Sequence, residues 1–290
     1  MLSSSKVSST FYGTSRHRML LDRLIVHGLL IFFVLLALGP ICVVILNSFK
    51  TTPAIFGGPF DLPTAATFGV DGYIRVFTRG NFLLNYRNSL IVTVSTIVLT
   101  VVLSALAAYG LTEYRLKITP VIAALFVVGI MLPIRLGTVP ILKIMITWGL
   151  VDTLTALILV YTAMSIPIAV TLMMAYFRTV PTEIKEAARM DGAGEFRTFR
   201  IVLPVVKPGL AAVATLTMLP VWNDLWFPLI LAPGKANQTV TLGVQQFVGQ
   251  FLSDYPALLA ALTLGVVPLV ALYVIFSRQF IRGLSQGVGK

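Results

Sequence analysis

Charge is scarce in this sequence. Only 11% of its 290 residues are Asp, Glu, Lys or Arg, against about 25% in an ordinary soluble domain. With 57% hydrophobic residues and a mean hydropathy of +0.91, the chain lacks the polar surface to stay in water, so the bilayer is its expected solvent. Cysteine is nearly absent: Cys42 stands alone. No intrachain disulfide can form, and Cys42 reads as a small buried hydrophobe. The two histidines, His17 and His27, have no acidic or cysteine companions nearby, which argues against a metal site. Acids number 11 against 22 bases, a net charge of +11. The bases form no stripe interleaved with aromatics, so nucleic acid is not the expected partner. They fall in the N-terminal tail, between apolar runs and at the C-terminus, as the positive-inside rule demands of a membrane protein.

What is abundant is apolar runs of membrane length. Residues 1–23 are polar, Ser-rich and basic, and read as a cytoplasmic tail. The run over 24–46 exceeds the roughly 7–15 apolar residues of a signal peptide and approaches the roughly 20 needed to cross hydrocarbon. It predicts an uncleaved first transmembrane helix. Residues 47–81 are dense in Gly and Pro and predict an extracytoplasmic loop. A core over 82–281 then holds five further helices, the third span of the chain being interrupted at Pro133 and Pro140. The core includes a charged cytoplasmic loop at 178–204 and an extracytoplasmic loop at 232–256, and a short cytoplasmic tail at 282–290 follows. The fold class expected is therefore an all-α membrane protein of about six transmembrane helices with both termini cytoplasmic. Lys and Arg are in excess on the segments this arrangement puts inside.

The loop at 178–204 has an ordered pattern. Thr182 is placed to cap a helix after Pro181, and Glu183 suits its positively polarised first turn. Ile184, Ala187, Ala188 and Met190 give that helix an apolar face with two small positions. Gly192 and Gly194 end it, Phe196, Phe199 and Ile201 begin a second short helix, and Pro204 opens the next span. Alanines beside a glycine turn suit entry into a groove on a partner. A helix lying on the membrane surface favours Trp, Phe and Leu instead.

Glu186-Ala187-Ala188, then Gly192, then Ile201-Val202-Leu203-Pro204 resembles the EAA loop of ABC importer permeases. Eight residues separate Gly192 from Ile201, one fewer than in many relatives, and every signature residue is present. The resemblance implies the type I importer permease fold and coupling helices that seat in a cleft of an ATPase subunit. Glu186, Ala187, Ala188, Asp191, Gly192, Ile201, Leu203 and Pro204 are the implied coupling residues. It also implies a second homologous permease subunit as heterodimer partner, two ATPase subunits and an extracytoplasmic solute-binding protein. Membrane lipid surrounds the spans. This chain itself would be non-catalytic and bind no cofactor, with ATP and Mg held by the ATPase subunits.

Three further stretches resemble the carbohydrate-uptake branch typified by maltose permeases: DTLTALILVY from Asp152 to Tyr161, WNDLWFPLI from Trp222 to Ile230, and the tail FIRGLSQGVGK. An acid within a span is costly and faces a cavity or a partner. Asn223 and Asp224 are thus candidates to bond sugar hydroxyls, with Trp222 and Trp226 stacking on sugar rings and Tyr161 beside them. The alternative for the tryptophans is anchoring at the outer interface. The tail looks like a phosphate loop but fails its pattern, because Val288 stands where the second glycine belongs and no Ser or Thr follows Lys290. By resemblance, Ser285, Gln286 and Gly287 are implied to reach between the ATPase subunits.

Other function classes are weaker. A secondary transporter places ionisable groups near the midplane, and the helix centres here are nearly free of charge. A membrane enzyme needs paired acids or a nucleophile–base set at a span border, and none is present. Within importers, Arg135 and Lys143 near the outer mouth leave a permease for acidic or phosphorylated solutes as the alternative substrate class.

Overall fold

A computed structural model describes residues 15–114, 117–249 and 253–287, with side chains described over 23–114, 117–249 and 253–271. Among the described residues every regular element is helical. The chain divides into two compact units at Val70 and Asp71.

The first unit opens with α1, Ser15–Ser48, which includes Pro40. Its span Arg23–Ser48 is long and apolar enough to cross a membrane, and apolar side chains cover its whole circumference, as befits a helix against lipid. Cys42 is exposed on this helix rather than buried as expected, because a span apolar on every side has no single interior face. The segment that follows is more ordered than its Gly/Pro content predicts. Pro53 sits in the first turn of α2, Thr52–Gly57, where its missing N–H costs nothing. Lys50 donates to the Gly58 carbonyl at 2.9 Å and Asn47 to that of Pro59 at 2.7 Å. Lys50 also pairs with Phe68 in an isolated antiparallel bridge.

The second unit contains the core. It begins with the amphipathic α3, Asp71–Arg79, inside the expected extracytoplasmic loop. Two long helices follow that match the predicted second and fourth spans, α4 (Phe82–Glu113) and α7 (Leu154–Arg178). They pack on each other more extensively than any other pair. The buried face of α4 carries Ser89, Thr93, Thr96, Thr100, Ser104, Ala105 and Ala108, of which Ala105 and Ala108 share a cluster with Ala169, Val170 and Met173 of α7. Small side chains at this spacing let two backbones approach closely in a membrane, where apolar burial gives little driving force.

The predicted third span is broken once, not twice. α5 (Thr119–Met131) stops because Leu132 precedes Pro133 and is pushed to extended backbone, φ −74 and ψ 125. A 3-10 turn (Ile134–Gly137) leads to α6, Thr138–Thr147, and the two halves are bent by 88°. Pro140 lies in the first turn of α6, where a missing N–H is tolerated, so it interrupts nothing. The fifth span is broken too. α10 (Lys207–Asn223) ends at Asp224, and α11 (Trp226–Leu231) resumes beyond it. Among the described residues three helices are long and apolar enough to cross a membrane unbroken, or up to five if two bent pairs, Thr119–Met131 with Ile134–Thr147 and Glu195–Val202 with Lys207–Asn223 (79°), are each one span. The last helix, α13 (Tyr255–Gly287), carries an apolar stretch over Tyr255–Ala271.

At one end of this unit the segment 232–248, with α12 (Val240–Val244), hangs on the first turns of α4. Asn88 donates to the carbonyls of Ala236 and Gln238, and the Ser89 hydroxyl accepts from Val240 N–H. Beside it Arg75 of α3 pairs with Asp254 at 2.6 Å, joining α3 to the start of α13. At the opposite end of α4 lies the charged loop.

Candidate functional site

The charged loop folds as two short helices, α8 (Thr182–Met190) and α9 (Glu195–Val202). Thr182 is the first residue of α8 rather than its cap: Pro181 occupies the cap position, and no side chain caps the helix. Gly192 ends the turn in the left-handed region at φ +74, whereas Gly194 precedes α9 with ordinary extended backbone. Pro204 lies in the turn between α9 and α10, and the next span begins only at Lys207.

Periodicity then splits the expected docking residues. Neighbours on a helix are rotated by about 100°, so positions 186 and 188 point about 200° apart. Ala188 is 6% exposed and faces the protein's own body with Lys185, while Glu186, Ala187, Met190 and Asp191 face outward. On α9, Thr198, Phe199 and Val202 are buried, and Phe196 and Ile201 are exposed. Arg200 lies over the Phe196 ring at 4.5 Å. Leu203 packs partly against the core. The two helices thus offer an outward ridge of Glu186, Ala187, Met190, Asp191, Phe196 and Ile201 around the Gly192 turn.

The inward face is fastened by residues that the motif does not include. Glu113 closes α4 with its carboxylate bound to Lys185 at 2.8 Å and to Arg189 as well. Arg189 also pairs with Glu195 at 3.2 Å. Tyr109 donates to Glu195 at 3.3 Å, and its ring lies edge-on to both Phe177 and Phe199. The hydrogen bonds to Glu113 and Glu195 raise the Arg189 pKa above its already high value, so Arg189 stays cationic at any working pH. Glu113, Tyr109 and Lys185 escaped the sequence reading. The available signal was Lys185 and Arg189 at i and i+4 on one face of α8.

The second candidate group surrounds the break between α10 and α11. Tyr161 of α7 donates to Asp224 at 2.8 Å, and the same carboxylate oxygen accepts the Phe227 N–H at 3.0 Å. The Asp224 carbonyl accepts from Thr241 at 2.6 Å. Asp224 therefore holds the break together. Trp222 is 3% exposed, donates its indole N–H to Gly265 and lies edge-on to Tyr86. The ring expected to stack on a sugar is packed in the interior instead, because its place on α10 faces α13. Asn223 and Trp226 are exposed. Trp226 is bonded to Thr138 at 2.9 Å with Arg135 5.9 Å from its ring, so the breaks of the third and fifth spans meet there. Ser285, Gln286 and Gly287 form the end of α13, so the expected Gly-rich tail is helical up to Gly287, and the rest of it lies outside the described residues. Among the described residues no group of three His, Cys, Asp or Glu is placed to hold a metal.

Long apolar helices, spans broken where polar residues gather, and a fastened helical pair outside the bundle define a membrane permease subunit. The chain belongs to the family described as binding-protein-dependent transport system inner membrane component, whose model matches residues 63–286. It is 34% identical over 264 residues to the diacetylchitobiose uptake system permease protein NgcG of Streptomyces coelicolor, covering 90% of this chain and 87% of that one. It is 32% identical to the trehalose transport system permease protein SugB of Mycobacterium tuberculosis, over 88% of this chain and 93% of that one. Among solved structures, a chain of a bacterial ABC transporter that imports the acidic polysaccharide alginate superposes with a TM-score of 0.79 at 22% identity. The match covers 94% of this chain and all of that one, and establishes the type I importer permease fold. The chain is thus an inner-membrane component of an ABC import system.

Proposed function

We propose that this chain forms half of the translocation pathway of an ATP-driven importer for a sugar or oligosaccharide, coupled to its ATPase through α8 and α9. The observation that carries the coupling is the outward ridge around Gly192: Ala187 and the left-handed glycine leave a low-relief centre, flanked by Glu186, Met190, Asp191 and Phe196. A partner surface can seat on it while the inward face stays fastened. The carbohydrate class is supported by the saccharides named for the relatives.

The partners are a second homologous permease, two ATPase subunits that hold ATP and Mg, and an extracytoplasmic binding protein. This chain is non-catalytic and binds no cofactor of its own. Both of its termini lie in the cytoplasm with α8 and α9, and Ser285, Gln286 and Gly287 at the end of α13 approach the ATPase dimer. Along the pathway Asn223 and Trp226 contact the solute, while Tyr161 and Asp224 hold the break in place.

The test is to purify the chain with its co-eluting subunits, reconstitute it in liposomes and measure ATPase stimulation across a saccharide panel with the binding protein present. Stimulation confined to saccharides supports the reading. An ATPase that co-purifies equally with an Ala187→Arg variant overturns the coupling role.

A further inference from the structure

A carboxylate at the C-terminus of a helix is badly placed, since the free carbonyls there already concentrate negative charge. Glu113 occupies such a place at the end of α4, and its side chain is only 10% exposed. It is stabilised by two cations from one helix, Lys185 and Arg189. Of these, Lys185 has a side chain 9% exposed, so removing its partner would leave a largely buried cation unpaired.

The two helices of the loop are attached differently. α9 is held by apolar packing, with Phe199 and Val202 buried in the same cluster as Tyr109, Phe177 and Val206. α8 contributes little of that kind. Its buried apolar residue is Ala188, with Ile184 partly covered. Its hold on the membrane helices is chiefly the Glu113 cluster.

α4 is the element to which α8 is tied. It runs unbroken from Glu113 to the turns that carry Asn88 and Ser89, a rise of about 36 Å between Ser89 and Glu113. There Asn88 and Ser89 hold the segment 232–248 through three hydrogen bonds to its backbone. One stiff helix therefore joins the loop at one end of the unit to the segment at the other.

We propose that Glu113 is a positioning residue for energy coupling: it makes α8 and α4 move as one body, so that displacement of the docked loop reaches the far end of the unit through α4. This rests on the reading of α8 and α9 as the ATPase-docking element. With Glu113 neutralised, α8 can follow the ATPase while α4 stays behind. Hydrolysis then proceeds without proportionate transport.

The experiment reconstitutes the whole complex in proteoliposomes and reads solute moved per ATP hydrolysed. For Glu113→Gln the expected result is a ratio lower by about fivefold, the low end of usual coupling between sites, with ATPase subunits co-purifying as before. A Glu113→Cys, Arg189→Cys pair in a Cys42→Ser background separates fastening from folding. Before treatment it should be uncoupled, and a short bismaleimide tether should restore the ratio. An unchanged ratio in Glu113→Gln, or a tethered pair that stays uncoupled, overturns the proposal. Loss of ATPase co-purification in Glu113→Gln also overturns it, since Glu113 would then act in docking. The underlying reading fails separately, by intact ATPase association in Ala187→Arg.

Discussion

The Tyr161 hydroxyl donates to Asp224 across 2.8 Å, tying the third turn of one long helix to the point where another is broken. The same carboxylate oxygen also accepts the Phe227 N–H in the first turn of α11. A carboxyl group at a break within a span is tolerable because two donors meet it.

Removing the tyrosine hydroxyl should therefore weaken the break without abolishing it. Tyr161→Phe leaves Asp224 with its backbone donor and loses one hydrogen bond to a charged group, about 1.5–3 kcal/mol. Thermal unfolding of the detergent-solubilised complex should show a lower midpoint. Asp224→Ala, which loses both bonds, should lower it further. Equal midpoints for the two variants would mean that the carboxylate does not organise the break.

The two tryptophans should behave differently. Trp222 fills interior space between α10 and α13, and Trp222→Ala should cost about 3–5 kcal/mol through the cavity it leaves. Asn223→Ala and Trp226→Phe remove exposed groups, the latter with its hydrogen bond to Thr138, and should lower the unfolding midpoint far less than Trp222→Ala while raising the solute concentration needed for half-maximal uptake. Uptake curves with the binding protein held constant separate these outcomes.

Neighbouring alanines on α8 give a matched pair. Ala188→Leu adds bulk where the helix already touches its own protein, an overpacking cost of about 1–3 kcal/mol, and should lower stability of the isolated chain. Ala187→Leu adds the same bulk on the outward ridge and should leave that stability alone while weakening ATPase co-purification. A reversed pattern would mean that α8 is rotated by about 100°.

Two glycines should fail for different reasons. Gly192 sits at φ +74 with nothing within 4 Å of an added Cβ, so Gly192→Ala should cost about 1 kcal/mol of backbone strain alone, and Gly192→Asn less. Gly209 has ordinary backbone, but an added Cβ would lie 2.6 Å from the Tyr176 ring. Gly209→Ala should push α7 and α10 apart, and Gly209→Ala with Tyr176→Leu should recover part of the loss. Midpoints of the four variants check the distinction.

Much of this was legible in the sequence, and the limits have physical causes. Membrane-length runs located α4 and α7 to within a few residues, and Pro133 marked its break because it dictates the backbone of Leu132. Pro140 looked equivalent in sequence but is harmless, since its effect depends on where a helix happens to start. The α8 turn was visible from Gly192. Which side of α8 faces inward was not, because the apolar face formed by Ile184, Ala187, Ala188 and Met190 is split in the structure, with Ala188 buried and Ala187 and Met190 exposed. The choice is made by Glu113, 72 residues away from Lys185 in sequence, and a single sequence gives no means of pairing them. Trp222 and Trp226 were indistinguishable by composition. Their fates are set by four positions along a broken helix.

The bend after Met131 also reaches beyond the protein. α5 has 13 residues, a rise of about 20 Å, against a hydrocarbon core of about 30 Å. None of its residues is buried within the chain. Where α5 borders lipid, the bilayer has to thin to match it, at a modest cost for each ångström of mismatch. Lipids with short acyl chains are favoured neighbours on that flank, which makes the thickness of the host membrane a setting on the machine.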